Sequence, residues 1–201
     1  MNRFILLMCL LSLPAWSQSQ TYFRAQALLV SYFPVGNPNL QFADRSITGD
    51  KSLVLQPGID FTYNVNATSV LGLAANKVFF LNTGNHLSGA LRLQLTAQVL
   101  KNYKHTLTLG VGPALHYRTD EPLQTVYSDT DVYTSSNTGF GYKVVWISGE
   151  VVYNYTLSKK TDISISLNHT EPQAATLSAG IRYWISKKAK GKACNCPTFK
   201  R

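Results

Sequence analysis

Charge is scarce in this 201-residue chain: only 14% of its residues are Asp, Glu, Lys or Arg, against about 25% in an average soluble domain. A surface so short of charge is a poor match to water. Long apolar runs are missing too, except near the N-terminus, which excludes a polytopic helical membrane protein. Cysteine is nearly absent. Of three, Cys9 lies in that N-terminal apolar run and Cys194 and Cys196 lie in the last eight residues. No cysteine framework therefore holds a main domain together. No phosphate loop, dinucleotide fingerprint, paired-cysteine zinc pattern or serine elbow occurs. Gly110 to Pro113 (GVGP) opens no helix. What the chain has is apolar content, 45% by residue, which excludes disorder.

Residues 1–17 read as a secretory signal peptide. Arg3 gives the positive start, Phe4 to Leu13 the apolar core, and Ala15 and Ser17 the small residues before a cut. The core is too short to span a bilayer. The mature chain is expected to begin near Gln18.

From about residue 22 to 185 the apolar period is two. In 87–99, Leu87, Leu91, Leu93, Leu95 and Val99 share one face, and Ser88, Arg92, Gln94, Thr96 and Gln98 share the other. A helix would mix these faces; a strand separates them. Eight such segments lie near 22–33, 53–63, 69–80, 87–99, 105–118, 140–155, 161–169 and 174–185. Several exceed the usual globular strand of about five or six residues and suit a tilted membrane strand of about 9–11. Pro113 removes a ladder donor and predicts a local bulge.

The connections alternate in length. Those at 34–52 and 119–139 are long, while NVNAT, KNYK and TLSKK are short. Aromatic residues gather at segment ends, among them Tyr22, Phe23, Tyr32, Phe33, Phe79, Phe80, Tyr153, Tyr183 and Trp184. Such girdles mark the two interfaces of a membrane barrel. Charge sorts by side: Lys101, Lys104, Lys159 and Lys160 occupy short turns, whereas Asp120, Glu121, Asp129 and Asp131 occupy a long loop. The formal charge is +9, from 19 basic and 10 acidic residues. Without Arg3 and the six basic residues after Ser186, 12 basic and 10 acidic residues remain, or +2. The basicity therefore belongs mostly to the tail.

On these features the chain resembles the small eight-stranded outer-membrane barrels of the OmpA/OmpX-like class. Ser178, Gly180, Tyr183 and Ile185 match the assembly signal that such barrels carry in their last strand. The resemblance implies an all-β, eight-stranded antiparallel up-and-down transmembrane barrel over 18–186, with both termini periplasmic, in the cell outer membrane. Residues 187–201 follow as a basic periplasmic tail. It further implies contact with outer-membrane lipid and lipopolysaccharide, and with the barrel insertion machinery during assembly.

An eight-stranded barrel is just wide enough to fill with side chains. The expected inward polar set is Asp60, Arg92, His116, Trp146, Glu150, Asp162, Asn168 and Arg182, forming paired charges, because buried charges must be paired. His169 is expected outward near the outer leaflet. There the chain resembles lipid A 3-O-deacylases of the PagL type in architecture and in the position of that histidine. It departs from them where Glu171 stands in place of the nucleophilic serine, and strand 174–185 carries no acid. Asp129 and Asp131 lack the other ligands of a calcium loop. Cys194 and Cys196 leave open a local disulfide, a soft-metal site, or a link to a periplasmic or surface protein partner. No cofactor and no nucleic-acid role is expected. The function read from the sequence is a non-enzymatic structural, adhesive or envelope-anchoring barrel. The alternative is a lipid A-modifying acyl hydrolase using His169.

Overall fold

The period-two segments form eight long strands. They are β1 (Gln20–Tyr32), β2 (Leu53–Asn66), β3 (Leu71–Leu81), β4 (Leu87–Lys101), β5 (His105–Thr119), β7 (Phe140–Thr156), β8 (Thr161–His169) and β9 (Ala175–Trp184). A two-residue β6 (Thr134–Ser135) lies between β5 and β7. The computed structural model describes residues 20–33, 47–48, 52–66, 70–81, 87–119, 134–135, 140–169 and 174–186. The signal-peptide segment, the acids of loop 120–133 and the cysteine-bearing tail lie outside them.

All pairings are antiparallel. Each long strand pairs with its sequence neighbour, β5 with β7 across the intervening segment, and β1 with β9. The sheet closes on itself, which removes its edges. Closure runs from Tyr22 opposite Trp184 to Tyr32 opposite Ala175. Past β9, the Ser186 hydroxyl accepts a hydrogen bond from the Thr21 amide at 2.8 Å. The short turns and both ends of the barrel chain lie at one end, the base. The longer connections lie at the other, the mouth. Residues 119–139 were expected to be loop throughout; instead Thr134 and Ser135 pair with Tyr142 and Gly141 and extend the wall at the mouth.

Alternation now has a direction. Leu91, Leu93, Leu95, Val111, Val151, Ile163, Ile165, Leu167 and Ile181 point out, while Thr62, Asn64, Gln94, Thr108, Ser164, Ser166 and Ser178 are buried inside. A soluble barrel does the reverse. Hydrocarbon requires this arrangement, with every backbone group paired within the wall and apolar side chains outward.

Alternation breaks at Pro113. Between Gly112 and Ala114 the partner strand steps from Ser148 to Val145, one residue more than β5 provides. Proline offers no amide to that row, so β7 bulges there. A bulge resets parity. Below it Ser148 and Glu150 face in; above it Lys143 is the residue opposite inward His116. Trp146, expected inside on the parity of Ser148 and Glu150, lies outside with Ile147, 79% and 77% exposed. The aromatic ends also split between faces. Phe23, Tyr32, Tyr153 and Tyr183 point out, whereas Tyr22, Phe33, Phe80 and Trp184 are buried inside.

Backbones approach closely where side chains are absent. A Cβ on Gly180 would sit 2.5 Å from Gln26 Cα, so the closing β1–β9 contact tolerates only glycine there.

Candidate functional site

The interior is a polar column in tiers. Nearest the base, Asp162 accepts from Arg182 Nε at 2.8 Å and from Trp184 Nε1 at 2.7 Å. The Arg182 guanidinium also lies over the rings of Tyr22 and Trp184, at 5.0 and 4.8 Å. These contacts neutralise the charge and cover the guanidinium planes with aromatic surface.

At mid-height Glu150 pairs with Arg24, whose Nη2 also donates to Thr62 Oγ1 at 2.8 Å. Asn76 Nδ2 donates to Glu150 Oε2 at 3.3 Å and to Gln94 Oε1 at 3.1 Å. This tier thus ties β1, β2, β3, β4 and β7. In the next tier Arg92 Nη2 donates to Asp60 Oδ2 at 2.7 Å, and Arg92 Nη1 reaches the His169 carbonyl at 3.2 Å. Asn168 Nδ2 donates to Ser178 Oγ at 3.2 Å, and Ser166 to Gln26 Oε1 at 2.8 Å. Higher still, Ser31 bonds Gln56 and Thr176.

At the mouth the column turns apolar. Phe33, Val54 and Ala174 form one buried cluster; Leu28, Val78, Phe80 and Ala90 form another. His116 is buried beside them, opposite Ala90 and Lys143 in register. The structure therefore places Asp60 with Arg92 and Arg182 with Asp162. It gives Glu150 a partner that sequence reasoning overlooked, Arg24. The signal was available, because Arg24 shares the parity of inward Gln26. Ser178 is buried inside β9, while Tyr183 and Ile185 point out.

His169 ends β8 half-buried. It lines an outward groove of about 690 Å³ together with Leu95, Leu109, Val111, Ile147 and Gly149. Its Nδ1 has no hydrogen-bond partner among the described residues. Thr170 and Glu171 lie outside those residues, as do Cys194 and Cys196. Among the described residues no group of three His, Cys, Asp or Glu side chains could hold a metal ion.

No protein-family model matches the chain, and no curated protein sequence matches it. Solved structures do. The crystal structure of Neisserial surface protein A superimposes with a TM-score of 0.52 at 10% identity, covering 81% of this chain and 96% of that one. The attachment invasion locus protein of Yersinia pestis, in complex with the heparin analogue sucrose octasulfate, gives 0.43 at 9%, covering 83% and 97%. At such identity the likeness to Neisserial surface protein A is one of fold, and it agrees with the geometry: this chain is built as a small, closed, eight-stranded antiparallel barrel with an apolar outer wall.

Proposed function

We propose that this protein is an outer-membrane barrel of Gram-negative type, with its base in the periplasm and its mouth outside. Its role in this reading is structural, adhesive or anchoring rather than catalytic. One observation carries the reading: the interior is filled by three ion-paired tiers and sealed at the mouth by Phe33, Val54, Leu28 and Phe80. A lumen so filled conducts nothing, and what can meet a partner is the outer wall, the mouth loops and the tail. The acidic loop 119–139 offers the external contact. The basic tail with Cys194 and Cys196 offers the periplasmic one, towards anionic lipid, cell-wall polymer or a protein. Ser178, Gly180, Tyr183 and Ile185 serve as the assembly signal. The test is photo-cross-linking in intact cells from loop 119–139 and from the tail. A defined protein partner supports anchoring or adhesion; recovery of lipid alone from both sites counts against it.

A second reading has one observation in its favour: His169 lines an apolar groove on the outer wall. A hydrolase acting on an acyl ester would use that ring as its base. It also needs a nucleophile and an orienting acid within hydrogen-bond reach. An unchanged lipid A mass spectrum in His169→Ala cells, at normal protein level, removes this reading.

A further inference from the structure

The outward face carries one charge that nothing above uses. Along β3, Leu71, Leu73, Ala75, Lys77 and Leu81 are all exposed on the outside, in strict alternation with buried Gly72, Ala74, Asn76, Val78 and Phe80. Among the described strand residues away from the strand ends, Lys77 is the one charged side chain on that face. Its register partners are Phe61 on β2 and Leu91 on β4. Its ammonium group lies over the ring of Phe79, 4.8 Å from the centroid.

Position and direction matter. Lys77 lies four residues below Leu81, the mouth end of β3. With about 3.3 Å per residue and a tilt of about 40°, that is about 10 Å below the rim. A lysine on the lipid face costs about 2–4 kcal/mol at the midplane, falling to about 0–1 near the interfaces. Phe79 is two residues nearer the mouth, so an ammonium over its ring has already climbed towards the headgroups. An ionisable residue facing lipid calls for a partner, and no carboxylate faces it on β2, β3 or β4.

A second donor stands in the next row. Phe79 is opposite Gly89, and Gly89 is opposite Tyr117. A side chain on Gly89 would collide with the Tyr117 hydroxyl and with its Cζ. The tyrosine ring therefore lies across the glycine on the outer wall. An ammonium over the Phe79 ring and a phenol over the neighbouring Gly89 thus stand on the outer wall, close below the rim.

Resting on the membrane reading above, we propose that Lys77 and Tyr117 form an external binding site for a phosphate of lipid A in the outer leaflet. The ammonium supplies charge, the phenol a hydrogen bond, and Phe61, Phe79 and Leu91 the bed for the first acyl carbons. Opposite charge and a dry flank favour phosphate over a zwitterionic headgroup.

The test is native mass spectrometry of the refolded barrel, released from nanodiscs of phosphatidylcholine doped with lipid A or, separately, with phosphatidylglycerol. The wild type should retain lipid A. Lys77→Met should lose about fivefold of that retention, the effect of one basic residue near a phosphate surface. Lys77→Arg should keep it, and Tyr117→Phe should show a smaller loss. Equal retention by wild type and Lys77→Met overturns the proposal. So does Lys77-dependent retention of phosphatidylglycerol as strong as that of lipid A, and so does a Lys77-dependent protein dimer in place of bound lipid. Heat-modifiable gel mobility and outer-membrane fractionation are read in parallel. Loss of either in the wild type sinks the membrane reading instead. Should Lys77→Met fail to fold, Tyr117→Phe carries the comparison.

Discussion

The base and the mouth of this barrel are filled in opposite ways. From the base to just above mid-height, Arg182 with Asp162, Arg24 with Glu150 and Arg92 with Asp60 are fully desolvated pairs bound into amide and hydroxyl networks. At the mouth the same lumen is closed by Phe33, Val54, Leu28, Val78 and Phe80. The difference teaches where each kind of packing is tolerable. Ion pairs pin strands in register but gain little net energy, since desolvation offsets attraction. Apolar residues seal without needing partners. A lumen built of ion pairs alone would stay wettable; one built of leucine alone would specify no register.

The largest break in that contrast should come from Glu150→Ala. It strands the buried Arg24 and removes an acceptor from Asn76, at a cost of about 3–5 kcal/mol. Urea unfolding of the refolded barrel in micelles would register this as a lowered midpoint. The double replacement Arg24→Met with Glu150→Leu should recover most of the loss, because a paired removal leaves no orphan charge. A double variant as unstable as Glu150→Ala would mean that the pair contributes more than neutralisation.

Phe80→Ala comes next, at about 3 kcal/mol for a buried aromatic in a small cluster. It should also raise water access to the lumen, seen as faster amide exchange in β3 and β4 near the mouth, with exchange at the base unchanged. Smallest should be Trp146→Leu. A side chain on the outer wall away from the lumen should change the stability by less than about 0.5 kcal/mol. A shift as large as that of Phe80→Ala would place Trp146 in a contact with another molecule.

Much of the fold was readable from residue type alone. Leu91, Leu93 and Leu95 against Arg92, Gln94 and Thr96 give strand, face and polarity at once, because the pleat enforces a period of two. Pro113 announced its bulge. What that bulge does to the other strand was not readable, since parity on β7 depends on which strand carries the extra residue. Trp146 was misassigned for that reason. Of the lumen charges, Asp60, Arg92, Glu150 and Arg182 were picked out from alternation, whereas their pairing needed the register across strands. Arg24 and Glu150 are 126 positions apart. Lys77 was legible in principle: it shares the parity of Leu71, Leu73 and Leu81, and only an apolar wall makes it conspicuous.

Closure between β1 and β9 has a consequence for synthesis. The first strand of the described wall finds its second partner only when the last has been made. Tyr22 must wait for Trp184. Until then two rows of unpaired amides and carbonyls face whatever surrounds the chain, and hydrocarbon cannot satisfy them. Such a chain has no stable half-built form inside a bilayer. On the membrane reading proposed above, entry into the bilayer is coupled to completion, and a chain cut short before residue 175 is expected to be degraded rather than to form a smaller barrel.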